Sequence, residues 1–213
     1  MLDKGECNGS YSDACVILSA LLSGIAAELR PGKGIDRARF VELWARYCSA
    51  ELDGILVSVP FLRQFLRRSE RWEEVHALEN ARPNMFGLGH GTRVLRGKEV
   101  DMTEADVLAL PIRLAKKEVR VYTYPAVFYE HVRSNLAHEY RLSENASSHF
   151  ATRLKANVSY VNMHDPDEAE LSRRLIHFHI DWLANVTRSI AANVAKFVEH
   201  YQRLPQPNWW LLG

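Results

Sequence analysis

Residues 13–29, DACVILSALLSGIAAEL, give the clearest indication of the fold class of this chain. The run is apolar on almost every face of a helix, and such a helix is buried on most of its faces. Ser12 and Asp13 are good N-cap residues and Pro31 follows the run, so the pattern predicts a helix over 14–29. A chain of 213 residues is long enough to bury it, either at the centre of a domain or at a subunit interface.

Helical patterns recur along the rest of the chain. A helix that begins near Thr103 is expected to run into the 116–118 region. Another that begins near Tyr124 is expected to end at about Tyr140. Pro and Gly residues make 81–100 a loop, or two short strands around a turn. The predicted later helices begin near Asp36, Ser58, Trp72, Thr103, Tyr124 and Trp182. The aromatic residues at helical spacing, which we expect in the core, are Trp44, Phe61, Phe65, Trp72 and Phe197.

One short segment has the period of a β-strand. Residues 157–163 alternate between the two faces of an extended chain, and 175–180 form the expected partner across an acidic turn at 164–170. No repeat or linker divides the sequence. We therefore predict a mainly α fold, a single domain over 1–213, built as a helical bundle with a small β-hairpin before the C-terminal helix.

Composition limits the function classes. Lys plus Arg (27) nearly balance Asp plus Glu (26), so the formal charge is +1, too low for a protein that coats nucleic acid by charge alone. Basic residues cluster over 63–71 and 116–120, where a solvated helix face is the simplest interpretation. Three cysteines without metal spacing fit a reducing compartment. With no signal-peptide pattern and no apolar run long enough to cross a bilayer, we expect a soluble, cytoplasmic protein without a membrane partner.

The motif with the most specific chemistry lies in residues 129–140, YEHVRSNLAHEY. Arg133, four intervening residues and His138 resemble the R-x(4–6)-H motif of the HEPN superfamily. The N-terminal run followed by RFVELWARY, and VRSNLAHEYR followed by a strand pair and a long last helix, are similar to uncharacterised bacterial HEPN-like proteins of about this length. The resemblance implies a helical homodimer in which two motif copies form one composite site for RNA cleavage.

The chemistry suits these residue types. RNA carries its own nucleophile, the 2′-hydroxyl, so cleavage needs no metal and no cofactor. Histidine exchanges protons near neutral pH, and the planar guanidinium of arginine matches phosphate oxygens. By resemblance, Arg133 would hold the scissile phosphate, His138 would act as base or acid, and Asn135 or Ser134 would orient one of them. Five residues turn an ideal helix by about 140°, so pairing across a two-fold axis would bring the two side chains together.

A non-catalytic interpretation stays open. The commonest HEPN form has a strongly polar residue directly after the arginine, whereas here Ser134 follows Arg133 and Asn135 comes one later. The alternative is a HEPN-like dimer that binds RNA, a nucleotide or a protein. The expected partners are RNA, a second copy of the chain, and an antitoxin or other protein if the chain acts as a toxin or defence effector, a role implied by the resemblance alone.

A metal site is the weaker alternative. In a strand, His177, His179 and Asp181 would share a face and could present two imidazoles and a carboxylate, with His164 and Asp165 across the turn. The glycines over 87–91 do not match the phosphate-binding loop, which needs four residues between its glycines.

Overall fold

The structure, a computed structural model, describes residues 10–82, 94–148, 156–163, 173–200 and 210. It confirms a mainly α fold, with a small antiparallel sheet. The elements are α1 (Tyr11–Leu29), α2 (Asp36–Tyr47), a 3₁₀ turn (Ala50–Leu52), α3 (Val59–Arg68), α4 (Trp72–Ala81), β1 (Val94–Arg96), α5 (Gly97–Val100), α6 (Glu104–Ala109), α7 (Lys116–Arg120), α8 (Tyr124–Phe128), a π-helical turn (Tyr129–Arg133), α9 (Ser134–Glu139), β2 (Val158–Met163), β3 (Arg173–Phe178) and α10 (Ile180–His200).

The first helix starts earlier than the sequence predicted. Its N-cap is Ser10, whose hydroxyl accepts the N–H of Asp13, while the Asp13 carboxylate accepts the N–H of Ser10. This reciprocal capping box needs an acceptor at the third helical position, which makes Asp13 the partner of the cap. The assignment of Ser12 or Asp13 as the cap was therefore wrong.

The helix that follows Thr103 is shorter than predicted. Thr103 caps α6 with Asp106, as the sequence indicated. The helix ends at Ala109 because Leu110 is extended and Pro111 disfavours the helical conformation of the residue before it. A separate helix, α7, then begins at Lys116.

The predicted strand pair is present but is part of a larger sheet. β2 and β3 are antiparallel, with Tyr160 opposite Ile176. β1 pairs with the other edge of β2, placing Leu95 opposite Tyr160, so the hairpin is extended to three strands in the order β1-β2-β3. β1 has three residues and lies in 81–100, which the sequence predicts to be a loop or two short strands around a turn. The acidic turn at 164–170 lies outside the described residues.

The helices and the sheet share one core. The rings of Trp44, Phe128, Phe178 and Trp182 form a closed set of contacts, with centroids between 5.2 and 6.2 Å apart. Such aromatic pairs contribute about 0.5–1.5 kcal/mol each beyond their burial. These four residues join α2, α8, β3 and α10, and so fix the start of the helix that carries the Arg133–His138 motif.

The first helix combines a buried and an exposed apolar face. Cys15, Leu22 and Ala26 are buried, and the helix packs against α2, α9 and α10. Ile17 and Leu21 are exposed to 60% and 53%. Among the described residues, α1 alone is long and apolar enough to cross a membrane by length and composition, a property that core helices share.

Candidate active site

The helix that carries the motif is continuous from Tyr124 to Glu139 and contains one π-helical turn. Pro125 lies in its first turn, where its missing N–H costs nothing. The π-helical turn spans Tyr129–Arg133 and places Arg133 at its last residue. Such turns are rare and occur frequently at functional sites. Tyr140, in the left-handed conformation, ends the helix close to where the sequence predicted.

Arg133 is half-buried and points toward α1. Its guanidinium lies 4.9 Å above the ring centroid of Tyr129, and one Nη1–H donates to the Tyr129 hydroxyl at 3.3 Å. The Nε–H donates to the hydroxyl of Ser23 at 3.4 Å. These two contacts use two of the five N–H donors of the side chain, and the other three have no hydrogen-bond partner among the described residues.

His138 lies on the exposed side of the same helix. It makes no side-chain hydrogen bond or ion pair with any described residue. The structure therefore places Arg133 and His138 on one helix but on different sides of it within one protomer, as the helical step of about 140° predicts.

The other two predicted site residues do not bridge Arg133 and His138. The Asn135 amide donates to the carbonyl of Glu130 at 2.7 Å, five residues back. This contact binds Asn135 to the wide turn of its own helix. Ser134 is half-buried, and its hydroxyl makes no hydrogen bond to a described residue.

The surface beside the motif is apolar. Arg133 contacts Ser23 near the C-terminal end of α1, and the Tyr140 hydroxyl donates to Asp13 near its start at 3.0 Å. The motif helix therefore lies antiparallel along α1. The next exposed positions around α1 form a row that we call the α1 stripe, made of Ile17, Ala20, Leu21 and Gly24.

A second histidine of the motif helix is structural. His131 packs on the ring of Phe61 at a centroid distance of 5.0 Å, and its Nδ1 lies 3.2 Å from the Ser143 hydroxyl. Burial lowers the pKa of His131, which keeps its ring neutral near neutral pH. His131 is half-buried, whereas His138 is exposed.

The histidines of the metal hypothesis lie side by side but have protein partners. The rings of His177 and His179 are 4.8 Å apart. His177 Nδ1 lies 2.7 Å from the carbonyl of Ser147, and His179 Nε2 lies 2.7 Å from the Ser159 hydroxyl. Burial lowers the pKa of His179.

Asp181, the third predicted ligand, is exposed in the first turn of α10. The described part of the chain contains no group of three or more His, Cys, Asp or Glu side chains that could hold a metal ion. His164, Asp165 and the glycines over 87–91 lie outside the described residues.

A small cavity between α1 and α2 is too narrow for a substrate. Its volume is about 10 Å³, room for one water molecule. Arg30, Arg39 and Arg46 line it together with the buried Glu42. Burial raises the pKa of Glu42, although the charges of Arg46 and Arg30 act to lower it.

Sequence reasoning missed the two residues that position Arg133. Tyr129 lies four residues before Arg133, a spacing at which helical side chains meet, so its role had a detectable signal. Ser23 is 110 residues away in sequence, and no local pattern indicates its contact with Arg133.

Comparisons with known proteins identify no relative. No family model, no curated protein and no solved structure matches this chain.

Proposed function

We propose that the protein is a metal-independent endoribonuclease that acts as a homodimer, with a composite site built from Arg133 and His138 of both subunits. The observation that carries this proposal is the position of the motif. An exposed imidazole and an arginine with free N–H donors lie on one helix, beside an apolar α1 stripe that no described part of the chain covers.

The α1 stripe supports the homodimer. Ile17 and Leu21 are large apolar side chains left more than half exposed, whereas the other face of α1 is buried. A contiguous apolar surface of this kind favours association. Pairing two copies of this surface about a two-fold axis would bring the two motif helices together. The His138 of one subunit could then approach the Arg133 of the other.

The proposed reaction is an intramolecular phosphoryl transfer. One His138 takes the proton of the 2′-hydroxyl, the freed oxygen attacks the adjacent phosphorus, and the bond to the 5′-oxygen breaks. The second His138 supplies the proton that the leaving 5′-oxygen needs, so the products are a 2′,3′-cyclic phosphate and a 5′-hydroxyl. Arg133 stabilises the extra negative charge on the phosphorane with its remaining donors.

A second candidate function is a dimer that binds RNA, a nucleotide or a protein without cleavage. The contacts of Arg133 favour it, because stacking on Tyr129 and a hydrogen bond to Ser23 are enough to explain an arginine here. Asn135 likewise has a partner in its own helix. A role as a toxin or defence effector, with an antitoxin as partner, rests on the HEPN resemblance alone, and a cytoplasmic location belongs to the same proposal.

RNA cleavage in the presence of EDTA separates the two functions. We expect the wild type to cut single-stranded RNA, and Arg133→Ala to lose about 10²–10³ in rate. His138→Ala should be at least as defective. Arg188→Ala and His200→Ala are matched controls, because both residues are exposed on α10, and they should cut at the wild-type rate.

The same experiment tests the composite site. Leu21→Glu places a charge in the α1 stripe and should give a folded monomer, measured by light scattering and circular dichroism, that does not cut RNA. If no form cuts RNA although wild-type dimers are intact, the binding function replaces the nuclease. Full activity in a monomeric Leu21→Glu variant would contradict the composite site.

A further inference from the structure

Two basic groups that are separate in the sequence meet at the surface. The Arg71 guanidinium, just after α3, donates to the carbonyl of Arg113 at 2.8 Å. The rings of Phe65 on α3 and Tyr122 after α7 lie 5.4 Å apart. These contacts join the C-terminal end of α3 to the segment that leads into α7. We call the result the α3–α7 surface; its cations are Arg67, Arg68, Arg113, Lys116 and Lys117.

The cations of the α3–α7 surface are not neutralised. Within the described part of the chain none of the five forms an ion pair, although neighbouring arginines do. Arg63 pairs with Glu79, and Arg71 pairs with Glu74. Because protein carboxylates satisfy the neighbours and not these five, the surface has free positive charge despite a formal net charge of +1.

An aromatic ring lies beside one of these cations. Trp72 is 50% exposed at the start of α4, and the guanidinium of Arg67 lies 5.9 Å from its ring centroid. The sequence predicted Trp72 to be a core residue, and the structure corrects this. A half-exposed tryptophan with adjacent cations is the combination by which proteins hold single-stranded nucleic acid, since bases stack on the ring and phosphates pair with the cations.

We infer that the α3–α7 surface binds single-stranded RNA, with a base stacked on Trp72 and the neighbouring phosphates on Arg68, Lys116 and Lys117. The choice of RNA rests on the proposed function; the surface itself is independent of the motif. Stacking requires an unpaired base, which favours a single strand over a duplex. Glu70 and Glu73 are also exposed in this stretch of the chain, so binding depends on the stacked base as well as on the cations.

The α3–α7 surface and the motif helix share one neighbouring element, α3. Phe61, near the start of α3, contacts His131 on the motif helix. Arg68 lies seven residues further along α3, which is about 10 Å at 1.5 Å per residue. The α3–α7 surface therefore lies about two turns of α3 away from this contact.

The test measures the affinity of a fluorescein-labelled, unstructured 20-nucleotide RNA by fluorescence anisotropy over a range of salt concentrations. The protein is the full chain with His138→Ala, in EDTA, so that the RNA stays intact. Trp72→Ala should weaken binding roughly tenfold with little change in the salt dependence, and Trp72→Phe should retain most of the affinity. The double variant Arg68→Glu with Lys117→Glu should weaken binding. The slope of the logarithm of the association constant against the logarithm of the salt concentration should become less negative by about 1.4, at about 0.7 per lost phosphate contact.

A matched control carries the same charge change elsewhere. Arg188→Glu with Lys196→Glu alters two exposed cations of α10, which packs against α1 and α2, and should leave the slope as it is. Circular dichroism confirms that each variant is folded. Unchanged affinity in both Trp72→Ala and the Arg68/Lys117 variant would overturn the proposal. Tighter binding of duplex RNA than of the single strand would also overturn it, and so would binding to anionic phosphatidylserine vesicles without binding to RNA. If RNA binds as predicted but no form cuts it, the nuclease proposal fails and this one stands.

Discussion

Gly97 lies where buried groups leave no room for a side chain. A Cβ at this position would overlap the Tyr124 hydroxyl and come within 3.1 Å of the Asp101 carboxylate and 3.3 Å of the Val158 Cβ. The Tyr124 hydroxyl cannot withdraw, because it is buried and donates to Asp101 at 2.5 Å. We expect Gly97→Ala to lower the free energy of unfolding by about 1–3 kcal/mol, the usual cost of overpacking. Urea denaturation measures it.

The control is the same substitution in open space. A Cβ at Gly24, an exposed residue of α1, would have no described atom within 4 Å beyond its own helix backbone and chain neighbours. In the monomeric Leu21→Glu background, where no second subunit would cover the α1 stripe, Gly24→Ala should raise the free energy of unfolding by roughly 0.5–1 kcal/mol, because alanine favours the helix. Equal effects of the two substitutions would show that the space around Gly97 is not limiting.

For single residues, the sequence proposed candidate site residues but did not indicate their contacts. Arg133 and His138 were found from their spacing, and their different directions follow from the helical step. Their partners depend on packing between distant segments. The contact of Arg133 with Ser23 and the exposure of Trp72 depend on tertiary structure. A local sequence pattern therefore indicates neither of them.

At the scale of the element, the π-helical turn of the motif helix has a specific stabiliser. Asn135 donates to the carbonyl of Glu130, whereas the neighbouring Ser134 hydroxyl has no such contact among the described residues. We expect Asn135→Ala to lower the free energy of unfolding by about 0.5–1 kcal/mol, since the bond is partly exposed, and Ser134→Ala to change it by less than about 0.5 kcal/mol. Urea denaturation of both variants checks this.

RNA cleavage by the same two variants gives a second readout. If Asn135 acts by holding the turn, Asn135→Ala slows cleavage and Ser134→Ala does not. Equal stability of the two variants would contradict the stabilising role of Asn135.

Local signals predicted most elements, and the errors have physical causes. The capping box at Thr103, the proline in the first turn of α3 and the alternation over β2 are all local, and each element is present. The end of α6 differs from the prediction because Pro111 disfavours the helical conformation of Leu110, which is extended. β1 lies in 81–100, where two short strands were one of the two alternatives. The π-helical turn depends on packing, so short-range pattern could not indicate it.

At the scale of the whole molecule, one buried carboxylate joins distant elements. Asp101 accepts the N–H of Val59 at the start of α3, and the hydroxyls of Tyr124 on α8 and Tyr160 on β2. The Tyr160 hydroxyl is also 2.7 Å from that of Ser58. Burial raises the pKa of Asp101 to about 7, although these hydrogen bonds act to lower it.

The raised pKa makes the network sensitive to pH. Between about pH 4 and 7 the folded protein keeps a proton on Asp101 that the unfolded chain has released. The contribution of Asp101 to the free energy of unfolding is therefore largest at acid pH. It falls by up to about 4 kcal/mol as the pH rises to about 7. His131 and His179 act in the opposite direction, because burial lowers their pKa and their neutral forms favour folding as pH rises toward 6.5.

A difference measurement isolates Asp101 from the histidines. The free energy of unfolding of the wild type and of Asp101→Asn should be compared by urea denaturation at several pH values from 4 to 8. Since both proteins contain His131 and His179, the wild-type value minus the variant value should decrease from pH 4 to about 7 and then level off. Tyr160→Phe removes a hydrogen bond to the carboxylate, so it should raise the pKa of Asp101 further and move the end of this decrease to higher pH. Parallel curves for the wild type and Asp101→Asn over the whole range would mean that Asp101 has the same affinity for its proton in the folded and unfolded chain, and that the buried network does not link stability to pH.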